Sequence, residues 1–186
     1  MPNWSSLSTR SSGYKILASD WNAVIGNLNY LGSGTASVGR AAVMASDTAT
    51  TSIATATWSL LTFASELYDT NGAHSTVTNT GRLTVPSGEG GLYHIFGSAT
   101  WTTASNGLFL QVRKNGAAST AASLASSAAN FGSLTANMDP IVTISGHLRL
   151  SAGDYLELYT AQNSGGNLAL KGNVQAHLFG MYWVTA

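Results

Sequence analysis

Apolar and polar residues alternate along this chain with two different periods. Between residues 19 and 32, Trp21, Val24, Ile25, Leu28 and Leu31 recur at spacings of three and four, which places them on one stripe of a helix. Ser19 is suited to the N-cap, Asp20 lies in the first turn where the helix dipole favours negative charge, and Gly32 is placed for a C′ stop. A helix of about 13 residues spans roughly 20 Å and is marginal alone in water, so the stripe needs a partner. That partner is either the rest of the same domain or another molecule. The stretch GSGTASVG at residues 32–39 has the composition of a flexible linker and favours the second. Residues 1–17, with Trp4, show no sustained period and read as an extended arm.

Beyond Arg40 the dominant period is two. In LYHIFGSATW, residues 92–101, the side chains of Tyr93, Ile95, Gly97, Ala99 and Trp101 share one face, and in LFLQV, residues 108–112, Leu108, Leu110 and Val112 do. In YLELYT, residues 155–160, Leu156 and Leu158 oppose Tyr155, Glu157 and Tyr159. These read as half-buried strands. The last such stretch, AHLFGMYWV at residues 176–184, is apolar on both faces: Leu178, Tyr182 and Val184 on one, Phe179, Met181 and Trp183 on the other. It is either enclosed on both sides in its own fold or offers one face to a second copy. A small sandwich has one interior, so the second use is expected, with Phe179, Met181 and Trp183 assigned to the interface.

Asn-Gly pairs at 71–72, 106–107 and 115–116 supply the positive φ that tight hairpin turns require, and PSGEGG (86–91) and NSGGN (163–167) mark further turns. Short strands at this spacing indicate a sandwich or barrel. Two stretches of low complexity give weaker patterns. Residues 45–58 read as strand from their threonine and isoleucine, and residues 117–130 as irregular strand or loop, with the strand boundaries in 117–136 left open.

Composition narrows the function. Charged residues are 9% of the 186, with eight basic and eight acidic side chains cancelling and no basic run, so neither nucleic acid nor an anionic membrane is an expected partner. A near-neutral surface favours self-association. The absence of cysteine excludes disulfides and thiolate chemistry. Met1-Pro2-Asn3-Trp4 lacks a basic segment followed by an apolar core, so no signal peptide is expected, and no apolar run is long enough to span a membrane as a helix.

Catalytic patterns are missing too. His74, His94, His147 and His177 form no close ligand motif, and there is no P-loop, nucleophile elbow or adjacent carboxylate pair. No enzyme activity and no cofactor is expected. In DTNG, residues 69–72, Asp69 and Asn71 alternate before a glycine as at the start of a calcium loop, but the closing acidic ligand is missing, and an Asx-type turn is the favoured use. Tyr68, Asn163 and Asn167, near expected turns, are candidates for an exposed ligand-contact surface.

The order of signals in the β portion resembles the C1q/TNF-like jelly-roll domains, particularly those attached to bacteriophage virion proteins. The matching stretches are LTFASELYDTNGAHS, TGRLTVPSGEGGLYHIFGSATW, LQVRKNG, LRLSAGDYLELYTAQNSGG and HLFGMYWV, together covering most of residues 40–186. The Ala/Ser-rich segment after Asn115-Gly116 departs from the pattern. At the front, STRSSGYKILASDWNAVIGNL resembles the Gly-x-x-Ile-x-Ala-x-x-Trp-Asn segment at the start of many phage fibre-like proteins.

The expected fold class is therefore mainly β: a C1q/TNF-like jelly-roll sandwich over residues 39–186, preceded by an attachment arm, helix and linker over residues 1–38. The resemblance implies a homotrimer on a virion, assembled in the cytoplasm of a bacterial host. Trp4, Trp21, Ile25, Leu28 and Leu31 would anchor it to other virion proteins of capsid or tail, and the jelly roll would face a host-surface glycan or protein receptor as a fibre or tail-tip module. Capsid decoration and a free carbohydrate-binding C1q-like module are the alternatives.

Overall fold

The structure is a computed structural model and describes residues 19–22, 24–25, 40–105, 107–117, 123–129, 139–172 and 177–186. Trp4, Leu28, Leu31, the linker and Asn106 lie outside the described residues, as do parts of the Ala/Ser-rich segment. The chain divides into two compact units, Met1–Arg40 and Ala41–Ala186. In the first, residues 19–22 and 24–25 are helical, within the span that the apolar stripe predicts, with Ser19 already inside the helix where an N-cap was expected, and Trp21 and Ile25 are 57% and 48% exposed. No helix among the described residues is long and apolar enough to cross a membrane.

The second unit is built from β1 (Ala42–Asp47), β2 (Ser52–Ile53), β3 (Ser59–Leu60), β4 (Ser65–Asp69), β5 (Arg82–Thr84), β6 (Gly91–Thr100), β7 (Leu108–Lys114), β8 (Ser123–Ala129), β9 (Ile141–Leu150), β10 (Tyr155–Gln162), β11 (Leu168–Ala169) and β12 (His177–Thr185). One five-stranded sheet has the order β4-β1-β12-β6-β9. The facing sheet runs β3-β10-β7-β8, with β5 also pairing β10, and β11 pairs β2 in a small ribbon. All these pairings are antiparallel. The Ala/Ser-rich segment does contain a strand, β8, held in register by β7. Its composition hides this because alanine and serine carry little strand signal and the pairing is a long-range property.

The core is the interior that the period-two pattern predicts. Tyr93, Ile95, Ala99 and Trp101 enter from β6 and its end, Leu108, Leu110 and Val112 from β7, and Leu156 and Leu158 from β10, all essentially without exposure. Phe63, from the connection between β3 and β4, meets Phe179 of β12 with ring centroids 5.9 Å apart. Each large apolar side chain buried in this way contributes about 1.5–3 kcal/mol.

A chain poor in charge uses its few ionic groups to pin turns. The buried Glu89 accepts from the backbone N–H of Ala41 at 2.7 Å and from the Asn71 amide, fixing the entry of β1 against the 69–72 turn. Asn115 and Gly116 have φ of 54° and 69°, the conformation that their Asn-Gly sequence predicts. That hairpin is locked to the next by Asp154, whose carboxylate accepts from Asn115 Nδ2 (2.8 Å), the Ser151 N–H (2.7 Å) and Lys114 Nζ (2.6 Å). Burial opposes ionisation of Asp154, but these donors outweigh it and hold its pKa at about 2. Burial likewise pushes the pKa of His177 down, and its Nδ1 accepts from the Thr100 N–H at 3.3 Å.

Asp154→Asn is expected to lower stability by about 1–2 kcal/mol at neutral pH, because the charge-assisted bonds are lost. The native-state pKa of about 2 lies below the unfolded value, so this contribution is present above about pH 4 and disappears as pH falls through about 2. Urea unfolding of parent and variant across that range reads the convergence.

Candidate functional site

The two sheets dispose of their outer faces differently. On the sheet of β10 and β7, strand alternation sends Tyr155, Glu157 and Tyr159 outward beside Phe109, Gln111 and Arg113. These are largely covered by one another. The Arg82 guanidinium lies 4.1 Å from the Tyr155 ring centre and pairs with Glu157 at 2.9 Å, while that of Arg113 lies 3.8 Å from the Tyr159 ring centre and donates from Nε to Gln111 at 2.8 Å. Cation–π stacking and ion pairing thus close most of this surface. At its end a shallow groove of about 290 Å³ is lined by Ala56, Trp58, Phe109, Ala161, Gln162 and Asn163.

The sheet of β12 and β6 keeps exposed side chains on its outer face among the described residues. Its register aligns cross-strand rows on the outer face: Tyr68, Met44, Gly180, Phe96 and Ser145 in one, and Ala42, Tyr182, His94 and His147 in the next. Tyr182, Val184 and Tyr68 are each more than 40% exposed. Within the first row, a Cβ added at Gly180 would stand 2.2 Å from Phe96 Cζ, so the glycine is what lets the Phe96 ring lie flat across its neighbour strand. Glu66 is turned off this face and bonds His74 Nδ1 at 2.8 Å. Among the described residues, alternation leaves Arg149 as the charged group of the face and places no carboxylate on it. The two histidines, 53 residues apart in sequence, approach with His94 Nδ1 3.3 Å from His147 Nε2.

This two-sheet sandwich is similar in fold to known proteins. The globular domain of zebrafish complement 1qA is similar over 78% of this chain and 98% of its own, at 17% identity and a TM-score of 0.55. Murine APRIL matches 78% of this chain and 99% of its own at 11% identity and a TM-score of 0.59. The Eiger TNF of S. frugiperda matches over 78% and 91%, at 14% identity and a TM-score of 0.52. The fold is a C1q/TNF-like jelly roll. At these identities the likeness concerns the fold alone, and the sequence matches no protein-family pattern and no curated protein.

Within the jelly roll, the predicted site residues fall in different places. Phe179 and Met181, expected between copies, are fully buried in the chain's own core, and Trp183 packs against that core. This corrects the assignment of faces. Both sides of β12 are apolar, as the sequence indicates, but the pleat turns the Phe179 side inward and leaves Tyr182 and Val184 outside. Sequence alternation within one strand cannot say which face is which.

Tyr68 belongs to β4 and stands in the aromatic row of the open face, opposite Met44. Asn163 lines the groove beside Trp58, and Asn167 is exposed in the turn before β11. The sequence reading missed His94 and Phe96 as partners on one face, although their spacing of two in LYHIFGSATW carried that signal. The meeting of His94 with His147 had no local signal at all.

Asp69 is occupied as a turn organiser. Its Oδ1 accepts from the N–H groups of Asn71 (3.2 Å) and Ala73 (3.0 Å), and its Oδ2 from that of His74 (2.9 Å). Asn71 directs its side-chain amide to Glu89. Asp69 thus organises an Asx-type turn, the use that its sequence favours. Thermal melting of the protein is expected to be the same in excess calcium and in EDTA, while Asp69→Ala should lower stability by about 2–3 kcal/mol by stranding those N–H groups.

Proposed function

We propose that this chain is a homotrimeric surface protein of a bacteriophage virion. Its N-terminal segment is the anchor to capsid or tail proteins, and its jelly roll is the exposed module that contacts a host-surface glycan or protein. The observation that carries the self-association is the outer face of the sheet of β12 and β6, which exposes Tyr68, Tyr182 and Val184 and carries no carboxylate among the described residues. Copies of the same chain are its natural cover: among the described residues Arg149 is the charged group to be desolvated, and the near-zero net charge raises no barrier to approach.

The attachment half of the reading is supported by the resemblance of residues 8–28 to phage fibre-like leaders, and by the exposure of Trp21 and Ile25 one helical turn apart. Three such weak helices on one trimer act together, so avidity turns marginal docking into firm attachment. The groove beside Trp58 and Asn163 supplies an aromatic ring and an amide to a recognition surface, a combination suited to stacking against a sugar and bonding its hydroxyls.

Sedimentation velocity at micromolar concentration is expected to give a trimer. Tyr182→Lys should yield a folded monomer, because it places a charge on the covered face. Gly180→Ala should weaken association at least about ten-fold with little loss of folding stability, since the atoms it displaces belong to the movable ring of Phe96. A stable parent monomer would remove the reading. Labelling on intact particles decides location: copies at a tail or head fibre agree with host recognition, and copies spread over the capsid lattice replace it with decoration.

A further inference from the structure

The histidine pair on the open face has a geometry that the self-association does not explain. His94 on β6 and His147 on β9 are directly opposed in the register, with ring centroids 4.7 Å apart and planes at 67°. Nδ1 of one lies 3.3 Å from Nε2 of the other. A tetrahedral ion bound to two imidazole nitrogens at about 2.0–2.1 Å holds those nitrogens about 3.3–3.4 Å apart. The observed spacing is therefore that of two corners of a zinc tetrahedron, and small ring rotations would turn a mutual hydrogen bond into joint ligation.

The surroundings select the class of ion. Tyr182 and Phe96 stack near His94 with centroids 5.0 and 6.2 Å away, and His147 is exposed. Alternation puts no carboxylate on this face among the described residues, so hard oxygen-seeking cations find no ligands, whereas imidazole suits zinc, nickel and copper. No group of three or more His, Asp or Glu that could hold a metal exists among the described residues, so one chain supplies two ligands and leaves positions open.

We propose that His94 and His147 form a two-imidazole chelate for a divalent first-row transition ion, zinc in the first instance. Water fills the open positions on a single chain, and histidines of the facing copies fill them when the face is covered. The second half rests on the self-association reading. Because ligands from several copies would share one ion, the ion binds the assembly more tightly than the single chain and stabilises it by linkage.

The test titrates the metal-stripped full chain with zinc alone. Histidine side-chain resonances are followed by NMR, heat by calorimetry, and mass by sedimentation with and without zinc. Saturable binding is expected, with the His94 and His147 ring signals moving and those of His74 and His177 unmoved, and calcium producing no change. His94→Gln and His147→Gln should each lower zinc affinity at least ten-fold while retaining the parent circular dichroism spectrum. Zinc should shift the association equilibrium toward the trimer in the parent and in neither variant. Unmoved His94 and His147 signals at saturating zinc, or unchanged affinity in both folded variants, overturns the chelate; a trimer that ignores zinc does so while leaving the self-association reading intact. Zinc held by the pair in a chain that stays monomeric keeps the chelate and overturns the shared coordination together with that reading.

Discussion

A β-sandwich has one interior, and the pleat of every strand that lines it sends alternate side chains the other way. Each sheet in this protein must therefore dispose of a second face. The sheet containing β10 and β7 does so internally: Arg82 and Arg113 lie over Tyr155 and Tyr159, and Glu157 is nearly buried although its strand position points outward. The sheet containing β12 and β6 disposes of its outer face differently: Tyr182 and Val184 stay more than 40% exposed, and His94 lies against Tyr182, Phe96 and His147.

This asymmetry is sharpened by the shortage of charge. With 9% charged residues, several of the carboxylates are committed to positions where they hold backbone: Asp154 across two hairpin ends, Glu89 at the entry to β1, Asp69 inside its turn. Few remain to solvate a sheet face. Hydroxyl and amide side chains keep the molecule wet elsewhere, and the open face is left as the surface with most to gain from being covered.

The same economy appears at the front of the chain, where Trp21 and Ile25 are exposed one helical turn apart. Two apolar features that each need a partner fit a protein built to be part of something larger. In the proposed assembly, oligomerisation and attachment reinforce one another, since gathering three anchors multiplies a weak contact. The proposed histidine chelate belongs to this picture as a further tie on the surface that copies would share.

Much of this was legible in the sequence, because it is local. Period-two alternation fixed the core faces of β6, β7 and β10; Asn115-Gly116 announced its own positive-φ turn; Ser19 and Asp20 announced a helix start; and the order of five stretches indicated the jelly roll. What tertiary structure alone decided is relational. Whether Phe179 or Tyr182 points inward depends on which side the second sheet packs, and β8 exists because β7 is there to pair with it. His94 meets His147 because β6 and β9 lie in one register, and the Phe96 ring rests over Gly180 for the same kind of reason. In a strand apolar on both faces, such as β12, alternation specifies two faces without naming either, since the free energy that names them comes from contacts with residues far away in the chain.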